Sequence, residues 1–220
     1  MYLQAVHLTQ GSTIPVALHL DHGASFTSAL SAFKAGYRSV MIDGSHLPLQ
    51  ENIRLTRQVV EALQPLGVTV EAEVGHVSGG VHSSGHGATT DPSDALRLVE
   101  ETRVDLLAIA NGTQHGVIDL QDNIDFDLIE RLRGQITIPL VQHGTSGIPL
   151  DLITRLAKSG MAKINFGEPF RANYIKYFRE YADALDHKDH PWRIMWAVKD
   201  RLKEDMKQLI LALGSDGKAD

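Results

Sequence analysis

Short β-branched or aliphatic runs alternate with longer amphipathic ones along the whole sequence, and this alternation limits the fold more than any other feature. The short runs are Pro15–Leu20, Ser39–Ile42, Val68–Glu73, Leu106–Ile109, Ile138–Val141 and Ala162–Asn165. Their starts lie 24, 29, 38, 32 and 24 residues apart, each a suitable length for a strand, a helix and two loops. Helix signals fill the gaps. Ser25 is placed to cap a helix ending at Gly36, and Pro48 opens one running to about Leu63, before Gly67. Asp91-Pro92 reads as an N-cap followed by a first-turn proline, and Pro149 repeats that arrangement before Asp151–Ser159. Six βα units in series predict a parallel sheet, either doubly wound or curled into a (β/α)₈ barrel. Polar residues separate the two. Asp21-His22, Asp43-Gly44-Ser45, Glu71 and Glu73, Asn111 to His115, His143-Gly144 and Asn165 fall at the C-terminal ends of successive runs. In a barrel those ends share one mouth, whereas in an open sheet they spread along an edge. The barrel is expected.

The closing helix is expected over Trp192–Leu213, with Trp192, Met195, Trp196, Leu202, Met206, Leu209, Ile210 and Leu213 on one stripe. That stripe suits packing on the same domain or a contact between subunits. No linker divides the 220 residues, so a single domain spanning 1–220 is expected. The one long stretch without strand or helix signals is Gly75–Thr90, rich in Gly, Ser and His.

Composition narrows the chemistry. The chain has no cysteine, which excludes a disulfide framework, a thiolate zinc site and a cysteine nucleophile. A formal net charge of −6 argues against a nucleic-acid partner. No apolar run reaches the ~20 residues of a membrane span, and the first residues lack a signal peptide's pattern. A cytoplasmic chain is expected. Eleven histidines without a cysteine mean that any transition metal is held by nitrogen and oxygen.

His22, His115 and His143 each follow a predicted strand, and only the fold can bring them together. Three imidazoles with an open position suit zinc acting as a Lewis acid. Asp21 is the carboxylate best placed for acid–base work, or else a residue that orients a ligand. Glu71 and Glu73 are two apart on one strand and so share a face, where they can approach a metal, orient a histidine or form a buried ion pair. His19, His46, His76, His82, His86, His187 and His190 carry no such signal. The turn His143-Gly144-Thr145-Ser146-Gly147 and the segment Asn165-Phe166-Gly167 each precede a helix, as anion-binding turns do; each also reads as a plain tight turn.

PVALHLDHG, SVMIDGSHLPLQENI, GVTVEAEVG, NGTQHG, LVQHGTSGIP, KINFGE and the closing LGSDGKA occur in the order found in class II, zinc-dependent ketose-bisphosphate aldolases, and the chain resembles that family over essentially its whole length. The resemblance implies a TIM (β/α)₈ barrel incomplete at its amino end, with about six βα units and C-terminal helices. Met1–Gln10 is then the tail of a helix preceding the family's third strand. It implies His22, His115 and His143 as ligands of a catalytic zinc, and Asp43 and Glu73 at positions that hold a second divalent ion or a monovalent cation in some members. Asp21 would handle the C4 hydroxyl proton. Gly116, Gly144, Thr145, Ser146, Asn165, Phe166, Gly167 and Glu168 match the stretch that binds the dihydroxyacetone-phosphate half.

The implied reaction is reversible aldol cleavage of fructose or tagatose 1,6-bisphosphate to dihydroxyacetone phosphate and glyceraldehyde 3-phosphate, through a zinc-stabilised enediolate. It needs no Schiff-base lysine, and Lys163 is the only lysine inside a predicted strand. The implied partners are phosphorylated ketoses, triose phosphates and further copies of the chain in a dimer or tetramer. Three departures stand out. The Gly75–Thr90 loop has no Asp or Glu where the family carries acids, so His82 or His86 is the candidate replacement for the C1 proton transfer. Glu168 stands where threonine is usual beside the phosphate, and Thr145 replaces a glycine. These departures and the six-strand length also suit a degenerate, non-catalytic binding or assembly subunit. A metal-dependent barrel hydrolase fits the motif set less well.

Overall fold

The computed structural model describes residues 2–77, 88–116, 122–186 and 188–219. Six strands form one parallel sheet: β1 (His19–Gly23), β2 (Ser39–Ile42), β3 (Thr69–Val74), β4 (Leu106–Ile109), β5 (Leu140–Gln142) and β6 (Met161–Ile164). Eight helices accompany them among the described residues: α1 (Tyr2–Thr9), α2 (Phe26–Ala35), α3 (Leu49–Leu63), α4 (Pro92–Thr102), α5 (Phe126–Arg133), α6 (Leu150–Lys158), α7 (Glu168–Ala184) and α8 (Trp192–Leu213). The strand order is β1-β2-β3-β4-β5-β6, all parallel, with no reversal. A doubly wound sheet reverses order at a switch point. The unbroken order belongs to a curled sheet, an incomplete TIM barrel with extra helices at its carboxyl end.

Strand periodicity divides the side chains between two faces. Val40, Ile42, Val70, Ala72, Val74, Leu107, Ile109 and Leu140 point outward into the main core, against the helices. On the other face Met41, Ala108 and Val141 form a small apolar plug beside Leu106. Met41 pairs in register with Glu71, and Val141 with Lys163, so the charged residues join this inner layer by parity alone.

β1 and β5 begin two or more residues later than the sequence pattern suggests. β1 starts at His19 rather than Pro15; Ile14 and Val16 are more than half exposed and pair with nothing named as strand. Asp21 and His22 therefore sit inside β1. β5 starts at Leu140, since Pro139 has no N–H to donate to the ladder. Its carbonyl still accepts from Leu107 N at 3.0 Å. β3 and β6 each differ by one residue from the sequence reading. Pro149 is itself the cap residue of α6 and offers no side-chain bond, unlike Asp91, which accepts from Ser93 N before Pro92.

α8 has the expected bounds but buries a different stripe. Ile194, Val198 and Leu209 are buried, the first two against Tyr177 of α7. Of the stripe expected from sequence, Leu209 is buried and Leu202 and Leu213 pack on the core, while Trp192, Met195, Trp196, Met206 and Ile210 are exposed. Helical spacing permits several stripes, and the positions of α6 and α7 decide. α1 ends near Gln10 as expected.

Candidate metal centre and substrate cleft

The site grows from the strand ends. In β1 the ladder slips between Leu20 and Gly23, and His22 takes a left-handed backbone with φ 47°. That conformation is costly for a residue with a Cβ. It lets Asp21 and His22, neighbours in sequence, both line the same cleft. Gly23 follows because a Cβ there would come within 2.6 Å of Met41 O. Beyond β4 and β5 a buried polar network fixes the loops. Asn111 Nδ2 donates to Gln142 Oε1 at 2.6 Å, and Gln142 Nε2 and Thr113 Oγ1 both donate to His143 O. Gly144, at φ 67°, passes close to the Gln114 backbone, where a Cβ would approach its carbonyl carbon at 3.0 Å.

Three imidazoles converge as a result. Ring centroids of His22 and His143 lie 4.7 Å apart, those of His22 and His115 5.3 Å, and those of His115 and His143 5.8 Å. Two groups have donor atoms all within 4.8 Å of one another, His22–His115–His143 and His22–Asp43–Glu73. His22 belongs to both.

Carboxylates orient the rings. His22 Nδ1 donates to Asp43 Oδ2 at 2.7 Å, leaving Nε2 free to bind. His143 Nε2 donates to Glu71 Oε1 at 3.0 Å. Burial opposes ionisation of Asp43, yet hydrogen bonds from His22 and Ser45 outweigh it and hold the carboxyl well below the usual range. The same contact with Asp43 raises His22. Burial, with His22 and His143 nearby, lowers His115. Glu73 is buried and near Asp43, and is pushed up to about 7.

The chemistry of this cluster fits a divalent metal. Glu73 Oε2 and His115 Nε2 are buried atoms without a hydrogen-bond partner. Buried polar atoms are ordinarily satisfied, so an orphan in each of the two donor groups suits a place for a cation. The donors are nitrogen and oxygen, as a chain without cysteine requires.

A cleft of about 700 Å³ opens over the cluster. Asp21, His22, Asp43, His115, His143, Gly144, Thr145, Asn165, Phe166, Gly167 and Glu168 line it. Glu73 lies beneath, 1% exposed, and Ser146 lies behind, its Oγ 3.2 Å from Glu168 Oε2. Gly116 is on the β4 loop but not among the lining residues. Asn165 Nδ2 donates to Asp21 Oδ1 at 3.2 Å and so links the ends of β6 and β1. His82 and His86 lie outside the described residues.

Two further lining residues belong to no functional motif of the sequence. His19 Nδ1 is 2.7 Å from Ser39 Oγ, and its Nε2 is 3.6 Å from Glu71 Oε2. Lys163 Nζ donates to Glu71 Oε2 at 2.8 Å. Both share the inward parity of the residues they pair with, which was the available signal.

A curled parallel sheet with three histidines and two acids at its strand ends defines a metal-binding barrel protein. The class II fructose-bisphosphate aldolase model matches residues 1–218, and the chain belongs to that family. It is 40% identical over 209 residues to a fructose-bisphosphate aldolase of Geobacillus stearothermophilus, covering 94% of this chain and 73% of that one. It is 38% identical over 213 residues to the 6-phospho-5-dehydro-2-deoxy-D-gluconate aldolase of Bacillus subtilis, covering 94% and 72%. Among solved structures, the YdjI aldolase of Escherichia coli superposes with a TM-score of 0.82 at 35% identity, over all of this chain and 76% of that one. The fold, the family and the cluster together support a metal-dependent, aldolase-like activity.

Proposed function

We propose that this chain catalyses reversible aldol cleavage of a phosphorylated ketose with zinc held by His22, His115 and His143. The convergence of these three imidazoles beside Asp21 carries the reading. Bound there, zinc supplies Lewis acidity that stabilises the negative charge developing on the ketose oxygens. Asp21 takes the proton of the C4 hydroxyl as the C3–C4 bond breaks, and Asn165 holds its carboxylate in place. Asp43 and Glu71 fix the tautomers of His22 and His143. Glu73, with Asp43, offers a second cation position. Gly144, Thr145 and the segment Asn165, Phe166, Gly167 and Glu168 receive the carbonyl-side fragment, with Ser146 behind them.

Fructose and tagatose 1,6-bisphosphates, giving dihydroxyacetone phosphate and glyceraldehyde 3-phosphate, are the first substrates to test. Residues 1–220 act as one domain in this reading, cytoplasmic and assembled as a dimer or tetramer. No helix among the described residues is long and apolar enough to cross a membrane. A coupled cleavage assay with both bisphosphates, with and without chelator, tests the reading; the expected result is cleavage that chelator abolishes and zinc restores. β1 and β6 are unpaired with each other among the described residues, which favours one second reading, a metal-binding assembly subunit. Stoichiometric zinc without cleavage of either sugar supports that second reading.

A further inference from the structure

One carboxylate in the cleft has no part in the aldol chemistry. Glu168 is the first residue of α7, and Gly167 before it provides no side-chain cap. Its Oε2 accepts from Ser146 Oγ at 3.2 Å, and Ser146 is 2% exposed on the turn leading to α6. The neighbouring hydroxyl, Thr145 Oγ1, donates to Asn165 O at 2.6 Å. The two turns that resemble an anion cradle are thus tied together, and a carboxylate of the chain itself already lies between them. The start of a helix favours one negative charge, and Glu168 supplies it.

The described lining has Asp21, Asp43 and Glu168 against a single lysine, Lys163, and that lysine is bound to Glu71 at 2.8 Å. Segments 78–87 and 117–121 contain neither Lys nor Arg. A phosphate dianion entering this end meets a like charge at close range, and the one lysine of the described lining is engaged by Glu71. A hydroxyl has the opposite relation, because it donates to a carboxylate.

We propose that Glu168 determines specificity by excluding phosphate from the turn end of the cleft and binding a hydroxymethyl terminus there. The preferred substrates are then ketoses unphosphorylated at C1, such as ketose 6-phosphates, which cleave to dihydroxyacetone and glyceraldehyde 3-phosphate. This rests on the aldolase reading and narrows it.

Fructose 6-phosphate and fructose 1,6-bisphosphate differ only in the C1 phosphate, so their kcat/KM ratio on the zinc-loaded chain reads the preference directly. The expected ratio favours the 6-phosphate by about tenfold or more, and Glu168→Gln lowers it by about tenfold, through KM for the bisphosphate. A wild-type preference for the bisphosphate overturns the proposal. Calorimetric titration with inorganic phosphate is independent of turnover. Glu168→Gln is expected to bind phosphate about tenfold more tightly than wild type, and equal affinities overturn the proposal. If neither sugar is cleaved, the aldolase reading fails for these ketoses, and the phosphate titration still decides the role of Glu168.

Discussion

Glu71 and Glu73 stand two residues apart on one strand, point to one face and are equally buried, yet they behave in opposite ways. Glu71 has His143, Lys163 and His19 around it, and these outweigh the effect of burial and lower its pKa. Glu73 receives one backbone bond, from Val77 N at 3.2 Å, and keeps an orphaned oxygen; its pKa is pushed up to about 7. In the lower layer both oxygens of Glu71 have ion-pair partners, whereas in the upper layer the group nearest the orphaned oxygen of Glu73 is His22 Nδ1, 3.9 Å away and bonded to Asp43. Burial is therefore a poor guide to role. What distinguishes a structural carboxylate from a ligand is whether the protein supplies its counter-charge.

Truncation tests that contrast most strongly. Glu71→Ala leaves Lys163 and His143 without their partner and is expected to cost about 3–5 kcal/mol in urea unfolding of the metal-free protein. Glu73→Ala is expected to cost about 1 kcal/mol or less in the same experiment, since it also removes repulsion from Asp43. Equal losses would erase the distinction between the layers.

Metal affinity sharpens it from the other side. His22→Ala removes a residue common to both donor groups and is expected to weaken zinc binding about a hundredfold or more in chelator competition. Lys163→Met touches no donor atom and is expected to cost about tenfold, by loosening Glu71 and with it the orientation of His143.

The layers also differ in pH response. Glu73 has a folded-state pKa near 7 against 4.5 unfolded, so the folded chain holds the proton more tightly. Its contribution to metal-free stability is full below about 4.5 and is lost as pH rises through about 7. Glu73→Gln is expected to flatten that decline in pH-dependent urea titrations. Zinc affinity is expected to rise from about pH 6 to pH 8, as Glu73 and the raised His22 give up their protons.

Two serines give the smallest effects. Ser39→Ala removes the partner of His19 and is expected to lower stability by about 1 kcal/mol with zinc affinity unchanged. Ser45→Ala removes a bond to Asp43 and is expected to shift zinc affinity a few-fold with little change in unfolding.

The strand-and-helix alternation and the convergence of polar strand ends were legible in the sequence because both follow from local pattern. The main contents of the lower layer were not. His19 and Lys163 meet Glu71 across 52 and 92 residues of chain, and such pairings depend on sheet register. With β1 read as ending at Leu20 rather than Gly23, Asp21 falls outside the strand and the inward parity that His19 shares with it is hidden. Only part of the expected α8 stripe is buried for a related reason, because an amphipathic helix rich in apolar residues needs its neighbours to choose which of them pack.

The uninterrupted strand order has a consequence for how the chain comes together in time. Each strand pairs with the one made just before it, so the sheet can lengthen by short loop closures during synthesis. The bond between Asp21 and Asn165 spans 144 residues and needs every intervening strand. The mouth is therefore the last part to be built, and a ribosome-bound chain stopped before β6 would carry all three histidines without the contact that steadies Asp21.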